Sequence, residues 1–181
     1  MVEHESVIIS LRVSSRLRDA LTTEATRRRG SLNAYVLDCL NRSLEWGTLL
    51  QQFEFIHISR MGLAALLEEI DNTQITAIAR KISGGLLMDL ANALQGKADL
   101  DGLRRVIELT AKYQYSFPLS YSWHDDAMGS HVFIRHGISR KWSTFLGEGY
   151  LAYLEGIGLQ GSYEATINSV KLTIPRKGRR T

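Results

Sequence analysis

The chain has 181 residues, of which 44% are apolar, a single cysteine and a formal net charge of +3. This length predicts a globular protein with a short first domain and about 130 further residues, enough for a second core. One cysteine excludes a disulfide framework. No secretory signal pattern and no apolar run of membrane-spanning length occurs, so we expect a cytoplasmic protein without membrane partners.

Residues 6–14 alternate with the period of a β-strand. This alternation places Ile9, Leu11 and Val13 on one face, and Ile8, Ser10 and Arg12 on the other. A single strand leaves unpaired N–H and C=O groups along both edges. We therefore expect an antiparallel ribbon with the same strand of a second chain.

A helical pattern follows the strand and ends in three arginines and Gly30. Ser14 or Ser15 is the expected N-cap. The apolar stripe of this helix comprises Leu17, Leu21 and Ala25. The arginines suit the negative end of the helix dipole, and we expect Gly30 to adopt the left-handed conformation after the helix.

A second helical pattern runs to residue 46, with Ser31 or Asn33 as its expected N-cap. Its apolar positions recur at helical spacing and are Leu32, Tyr35, Val36, Cys39, Leu40 and Leu44. Because Cys39 lies on this face, it is predicted to be a small core residue. Both helices are too short to be stable alone, so this unit is expected to fold as a dimer.

Two runs in this region resemble the ribbon-helix-helix superfamily, which includes the Arc and methionine repressors and the HicB-type antitoxins. The runs are Ser-Leu-Arg-Val-Ser-Ser-Arg-Leu (10–17) and Arg-Gly-Ser-Leu-Asn-Ala-Tyr-Val-Leu (29–37), and the resemblance covers residues 6–46. It implies a homodimer whose two-stranded ribbon enters the major groove of double-stranded DNA. Outward side chains of the ribbon would then read base edges.

Carried over by position, the resemblance implies that Ile8, Ser10 and Arg12 are the reading residues. Arg12 can fork onto guanine, Ser10 can pair with either kind of base, and Ile8 can touch only a thymine methyl group. Ile8 departs from the polar residue that the family more often has there. The resemblance also implies that the start of the second helix holds a phosphate, at Ser31, Leu32, Asn33 and Ala34.

Charge in this segment favours a polyanionic partner. Six arginines oppose Asp19 and Glu24 between Ser6 and Gly30, a net charge of +4. We expect Arg27, Arg28 and Arg29 to act through phosphates or through their long-range field. The alternative is that the segment is only a dimerisation clasp, with Arg12 a solvated surface charge.

From Gly47 onward the pattern predicts a second domain of mixed type, residues 47–175, followed by a basic tail, 176–181. Helices are expected at residues 61–70, 74–94 and 100–113, and from the cap Ser139 onward. Strands are expected at residues 52–58, 118–124, 130–135 and within 164–174. The whole chain is therefore assigned to the α+β class, with helices on one face of the second domain's sheet. Ser83, Gly84 and Gly85 are predicted to kink a helix rather than to hold a phosphate.

Chemistry in the second domain is not indicated. His124, His131 and His136 are the candidate metal ligands, but odd spacing along a strand turns His131 and His136 to opposite faces, so no metal site is expected. No nucleophile is paired with a base and no phosphate loop occurs, so we expect neither an enzyme nor a cofactor. Six aromatic residues are typical of a core, or could line a pocket for a small effector: Tyr113, Tyr115, Phe117, Tyr121, Trp123 and Phe133.

The sequence therefore predicts a prokaryotic, sequence-specific DNA-binding transcriptional regulator, by default a repressor that occludes a promoter. It would act as a homodimer or higher oligomer, with a C-terminal domain for oligomerisation or for sensing an effector. One alternative is an antitoxin or plasmid-partition factor with a protein partner, although the second domain is more apolar and regular than a segment that folds on binding. The other alternative, an enzyme in the C-terminal domain, lacks a paired nucleophile and base.

Overall fold

The chain divides into two compact units after Phe53 in the computed structural model, which describes residues 7–113 and 119–176. The sequence placed this division after Trp46. The later position arises because the second helix does not stop there, and Trp46 is buried within the first unit. Ser6, Pro118 and the basic tail after Arg176 belong to predicted elements but lie outside the described residues.

The first unit is helical. Its elements are α1 (Ser15–Arg27) and α2 (Leu32–Arg42), and α2 continues through a first π-helical turn (Ser43–Gly47) into α3 (Thr48–Gln52). Of the alternative caps, Ser14 and Ser31 are the ones used: Ser14 Oγ accepts the N–H of Leu17 at 3.2 Å, and Ser31 Oγ accepts the N–H of Ala34 at 3.2 Å. Both caps satisfy amides that precede the first helical hydrogen bond.

The turn between α1 and α2 is a Schellman motif. The N–H of Gly30 donates to the carbonyl of Ala25, and the N–H of Arg29 donates to that of Thr26, both at 2.9 Å. Arg29 has the left-handed backbone, with φ of 57°. The prediction that Gly30 takes this conformation is wrong, because α1 already ends at Arg27 and the left-handed position follows one residue after the C-cap Arg28.

Four helices come before the sheet in the described part of the second unit. They are α4 (Arg60–Glu68), α5 (Asn72–Ile78), α6 (Gly84–Gln95) and α7 (Leu100–Tyr113), with a second π-helical turn (Ala79–Ser83) joining α5 to α6. The strand predicted over 52–58 is wrong: Gln52 ends α3, and Glu54 has a positive φ of 52° that interrupts an extended backbone. Among the described residues, no helix combines the length and apolar character that a membrane span requires.

The sheet of the second unit has four antiparallel strands in the order β1-β2-β4-β3. The strands are β1 (Ser120–Asp125), β2 (Gly129–Arg135), β3 (Ser162–Ala165) and β4 (Ser169–Pro175), and α8 (Arg140–Gly156) connects β2 to β3. The single closing strand that the sequence predicts is two strands, because the N–H of Thr166 donates to the carbonyl of Ser169 at 2.9 Å and closes a hairpin. The α+β class is confirmed.

One face of the sheet is covered. Val132, Ile134, Val170, Leu172 and Ile174 are buried on this face, and α8 packs on β3 and β4. The opposite face carries Phe133 and Lys171, which are paired across β2 and β4 and are both exposed. The apolar core of the sheet is therefore formed on one side of it, within a single chain.

Small residues allow α8 to approach the start of α6 closely. A Cβ atom added to Gly84 would lie 2.7 Å from Ala152 Cβ, and one added to Gly149 would lie 2.6 Å from Ser83 Cβ. The Ser83-Gly84-Gly85 element thus lies where a π-helical turn ends and α6 begins, and its buried Gly84 allows the close helix crossing.

Gly84→Ala should destabilise the protein by about 1 to 3 kcal/mol, because the added methyl group meets Ala152 and its backbone. Gly85→Ala is a matched control on the same helix, since a Cβ there meets nothing within 4 Å. It should stabilise by up to about 1 kcal/mol, through helix propensity and a less flexible unfolded chain. Urea unfolding of both variants checks this, and a Gly84→Ala protein as stable as wild type would contradict the close crossing.

Candidate nucleic-acid interface

The predicted reading residues lie in an exposed segment, residues 7–14, that precedes α1. Ile8, Ser10 and Arg12 are all exposed, Ile8 at 94%. This segment forms no strand in the single chain, because no described strand of the same chain pairs with it. Ser14, the last residue of this segment, caps α1 and therefore fixes where the segment joins the helix.

The other predicted DNA contacts gather at the opposite end of α1. Arg27, Arg28 and Arg29 and the start of α2 share the Schellman turn. The 13 residues of α1 separate this turn from the exposed segment by about 20 Å. One chain alone thus presents two groups of predicted contacts, and it does not bring them together.

The three consecutive arginines have different surroundings. Arg27 pairs with Glu24 at 2.6 Å, and this contact holds the pKa of the Glu24 carboxyl below its usual range. Arg28 lies 3.7 Å from Asp38 and stacks over the ring of Tyr35. Arg29 is exposed and has no ion pair within the part of the chain that the structure describes. The three arginines are therefore not equivalent, although the sequence predicts the same role in phosphate contact for all of them.

The start of α2 has two backbone donors with no acceptor among the described residues. Ala34 donates its N–H to Ser31 Oγ, and Tyr35 donates its N–H to the carbonyl of Ser31 at 3.0 Å. The amides of Leu32 and Asn33 come before the first helical hydrogen bond and lie at the positive end of the helix dipole. Of the amides predicted to hold a phosphate, that of Ala34 is already used by the cap.

The first unit leaves most of its apolar side chains uncovered. Ala25, Trp46 and Leu49 are its buried apolar residues among those described. Ten large apolar side chains are exposed: Val7, Ile8, Ile9, Leu11, Val13, Leu17, Leu32, Leu37, Leu40 and Leu44. Exposed apolar surface on this scale is typical of an interaction surface.

The three candidate metal-ligating histidines do not converge. His124 and His131 face each other across β1 and β2, and His131 Nε2 lies 3.3 Å from Asp126. His136 follows β2 and is fully buried. Within residues 7–113 and 119–176, no three histidine, cysteine or acidic side chains form a group that could hold a metal ion.

His136 instead forms a buried pair with Ser143, a residue that the sequence analysis did not single out. The N–H of Ile138 donates to His136 Nδ1 at 3.1 Å, so the ring proton lies on Nε2, which donates to Ser143 Oγ at 2.7 Å. A general base would need a free lone pair at that nitrogen. This Ser–His pair therefore joins the end of β2 to α8 through a buried hydrogen bond. Its only sequence signal is that Ser143 lies one helical turn after the cap Ser139.

The acidic residues beside the β1–β2 turn are also used structurally. Asp125 accepts hydrogen bonds from Ser130 Oγ at 2.6 Å and Trp123 Nε1 at 2.9 Å, and these bonds hold the pKa of its carboxyl below the usual range. Asp126 accepts the backbone N–H groups of Met128 and Gly129 and closes the turn. A cleft of about 580 Å³ borders these two carboxylates. Both already accept the hydrogen bonds given above.

The predicted aromatic set does not line one pocket. Tyr113 is buried at the end of α7, whereas Phe133 and Trp123 lie on opposite faces of the sheet. Tyr115 and Phe117 lie outside the described residues. Tyr121 shares the face of Trp123 and not that of Phe133, so the described members of the set do not all line one pocket.

No family model matches the chain, and no curated protein and no solved structure matches it.

Protein stability should fall as the pH drops from 7 to 5, because burial lowers the pKa of His136 to about 4. The unfolded histidine, with a pKa near 6.5, binds a proton in this range and the folded one does not, so stability is full above pH 6.5 and declines below it. The expected loss between pH 7 and pH 5 is about 2 kcal/mol. Urea unfolding at several pH values measures it.

His136→Gln is the control for this pH dependence, since its amide can donate to Ser143 but does not titrate. The variant should be less stable than wild type at pH 7 and should lose less stability by pH 5. Equal pH dependence in the two proteins would show that His136 titrates normally in the folded state.

Proposed function

We propose that the protein is a sequence-specific DNA-binding transcriptional regulator that acts as a homodimer through its first unit. The observation that carries this proposal is the uncovered apolar surface of that unit, which includes the exposed segment 7–14 and side chains on both helices. A second copy of the same segment would supply the missing strand. The two copies would then form the ribbon of a ribbon-helix-helix dimer.

In such a dimer the apolar residues of segment 7–14 divide by alternation. Ile9, Leu11 and Val13 would pack onto the helices, and Ile8, Ser10 and Arg12 would face the major groove. Arg12 would supply the most specific contact, because a guanidinium can form two hydrogen bonds to one guanine. The free amides of Leu32 and Asn33, at the positive end of α2, would hold a backbone phosphate and fix the register of the ribbon.

Leu37, Leu40 and Leu44 support the dimer independently of the ribbon. They recur at helical spacing along α2 and the first π-helical turn, and all three are exposed in the single chain. A stripe of this kind is expected to be covered by another helix. Bound at a promoter, the dimer would act as a repressor by excluding other proteins. The second unit would serve oligomerisation or effector sensing.

Leu40→Asp should dissociate the dimer and destabilise the first unit, because the dimer buries an unpaired charge at a position that is 46% exposed in one chain. Asn41→Asp introduces the same charge at the neighbouring exposed position and should remain dimeric. Light-scattering mass at micromolar concentration and urea unfolding measure both effects. If Leu40→Asp retains wild-type mass and stability, α2 does not form the dimer interface.

The DNA-reading role of Arg12 is tested with the full-length protein and a duplex selected from a random library. Arg12→Ala should weaken binding to that duplex by about 1 to 3 kcal/mol per contact and relax preference at one base pair in each half-site. Arg16→Ala removes the same charge from α1 and should weaken selected and scrambled duplexes alike. Titrations on both duplexes check this. An Arg12→Ala protein that discriminates as well as wild type would leave segment 7–14 as a dimerisation clasp.

A further inference from the structure

Arg28 differs from both neighbouring arginines in what its side chain contacts. Its guanidinium lies 4.9 Å from the centre of the Tyr35 ring, and its Nη1 lies 3.7 Å from Asp38 Oδ2. Tyr35 and Asp38 are three residues apart on α2, so they lie on the same face of that helix. One side chain at the end of α1 is thus attached to the next helix at two points.

The backbone of Arg28 is held as well. Its N–H donates to the carbonyl of Glu24 at 3.1 Å, and the two Schellman hydrogen bonds follow immediately at Arg29 and Gly30. The exposure of the side chains shows the same difference: 32% of the Arg28 side chain is exposed, against 69% for Arg27, which pairs within α1. Arg28 therefore connects α1 to α2, whereas Arg27 forms an ion pair within α1.

We propose that Arg28 is a positioning residue for DNA binding, which holds the start of α2 in a fixed orientation to α1 and does not itself contact a phosphate. This inference rests on the proposed function. Tyr35 is one turn from the free amides of Leu32 and Asn33, so a shift of α2 at Tyr35 would change the direction in which both amides point. The planar guanidinium suits this role, because it can stack on a ring and pair with a carboxylate at the same time.

Asp38 provides the decisive test, because the two possible roles of Arg28 predict opposite effects of removing its charge. If Asp38 merely withholds Arg28 from DNA, Asp38→Asn should tighten binding to every duplex by freeing a cation. If Arg28 positions α2, Asp38→Asn should weaken binding to the selected duplex although the protein has become more positive. We expect the second result.

The variants Arg28→Ala, Arg28→Lys and Arg29→Ala complete the set, with titrations of full-length protein on selected and scrambled duplexes at several salt concentrations. Arg28→Ala and Arg28→Lys should each lose about tenfold in affinity for the selected duplex, since both lose the stacked, paired geometry. Their dependence of affinity on salt should equal that of wild type. Arg29→Ala should flatten the salt dependence, because a dimer would release about two fewer counterions.

Three results would each overturn the positioning role and leave the proposed function standing. They are wild-type affinity in Arg28→Lys, a salt dependence of Arg28→Ala as flat as that of Arg29→Ala, and tighter binding by Asp38→Asn. Failure of the wild-type protein to select any duplex would overturn the proposed function, and the positioning role with it. Far-ultraviolet circular dichroism of each variant, with Arg28→Lys as the conservative change, establishes that lost affinity does not arise from unfolding.

Discussion

Apolar burial is the constraint on which the rest of the first unit depends. Two helices joined by a two-hydrogen-bond turn can cover Ala25, Trp46 and Leu49, but they leave a stripe along α2 and nearly all of segment 7–14 in contact with water. Backbone N–H and C=O groups in that segment have no partner strand among the described residues. Pairing with a second copy would satisfy both requirements at once, because ribbon formation and core formation use the same residues.

The second unit buries one face of its sheet within one chain. Its sheet buries alternate residues of β2 and β4 on one side, and α8 packs on β3 and β4. The close crossing of α8 at Gly84 and Gly149 lets a single helix contact both the sheet and the start of α6. Arg80 of the second π-helical turn pairs with Glu148 and Glu155 at the rim of this crossing, and Tyr163 donates to Glu148 from β3. These polar contacts link α8 to the second π-helical turn and to β3.

Local signals in the sequence predicted local structure well. Ser14, Ser31 and Ser139 cap helices, and α7 spans the predicted residues 100–113, because capping and helical periodicity depend on neighbouring residues. The strand expected at 52–58 failed because the apolar residues Phe53 and Phe55 say nothing about a partner strand. The hydrogen bond between His136 and Ser143 could not be predicted from the sequence, because the two residues are seven positions apart and belong to different elements. For the predicted DNA contacts, residue type and order could be read from the sequence, but not which charges are already paired.

The run Arg27-Arg28-Arg29 shows why position within a turn matters more than composition. Sequence alone treats the run as a block of positive charge, yet the end of α1 divides it into a last helical residue, a C-cap and a left-handed residue. The three side chains point in different directions. That of Arg27 pairs within α1, that of Arg28 contacts α2, and that of Arg29 is exposed to solvent. The left-handed conformation costs a non-glycine residue about 1 kcal/mol, which the two Schellman hydrogen bonds offset. The geometry of one helix end thereby distributes three identical side chains among an intrahelical ion pair, an interhelical contact and an exposed charge.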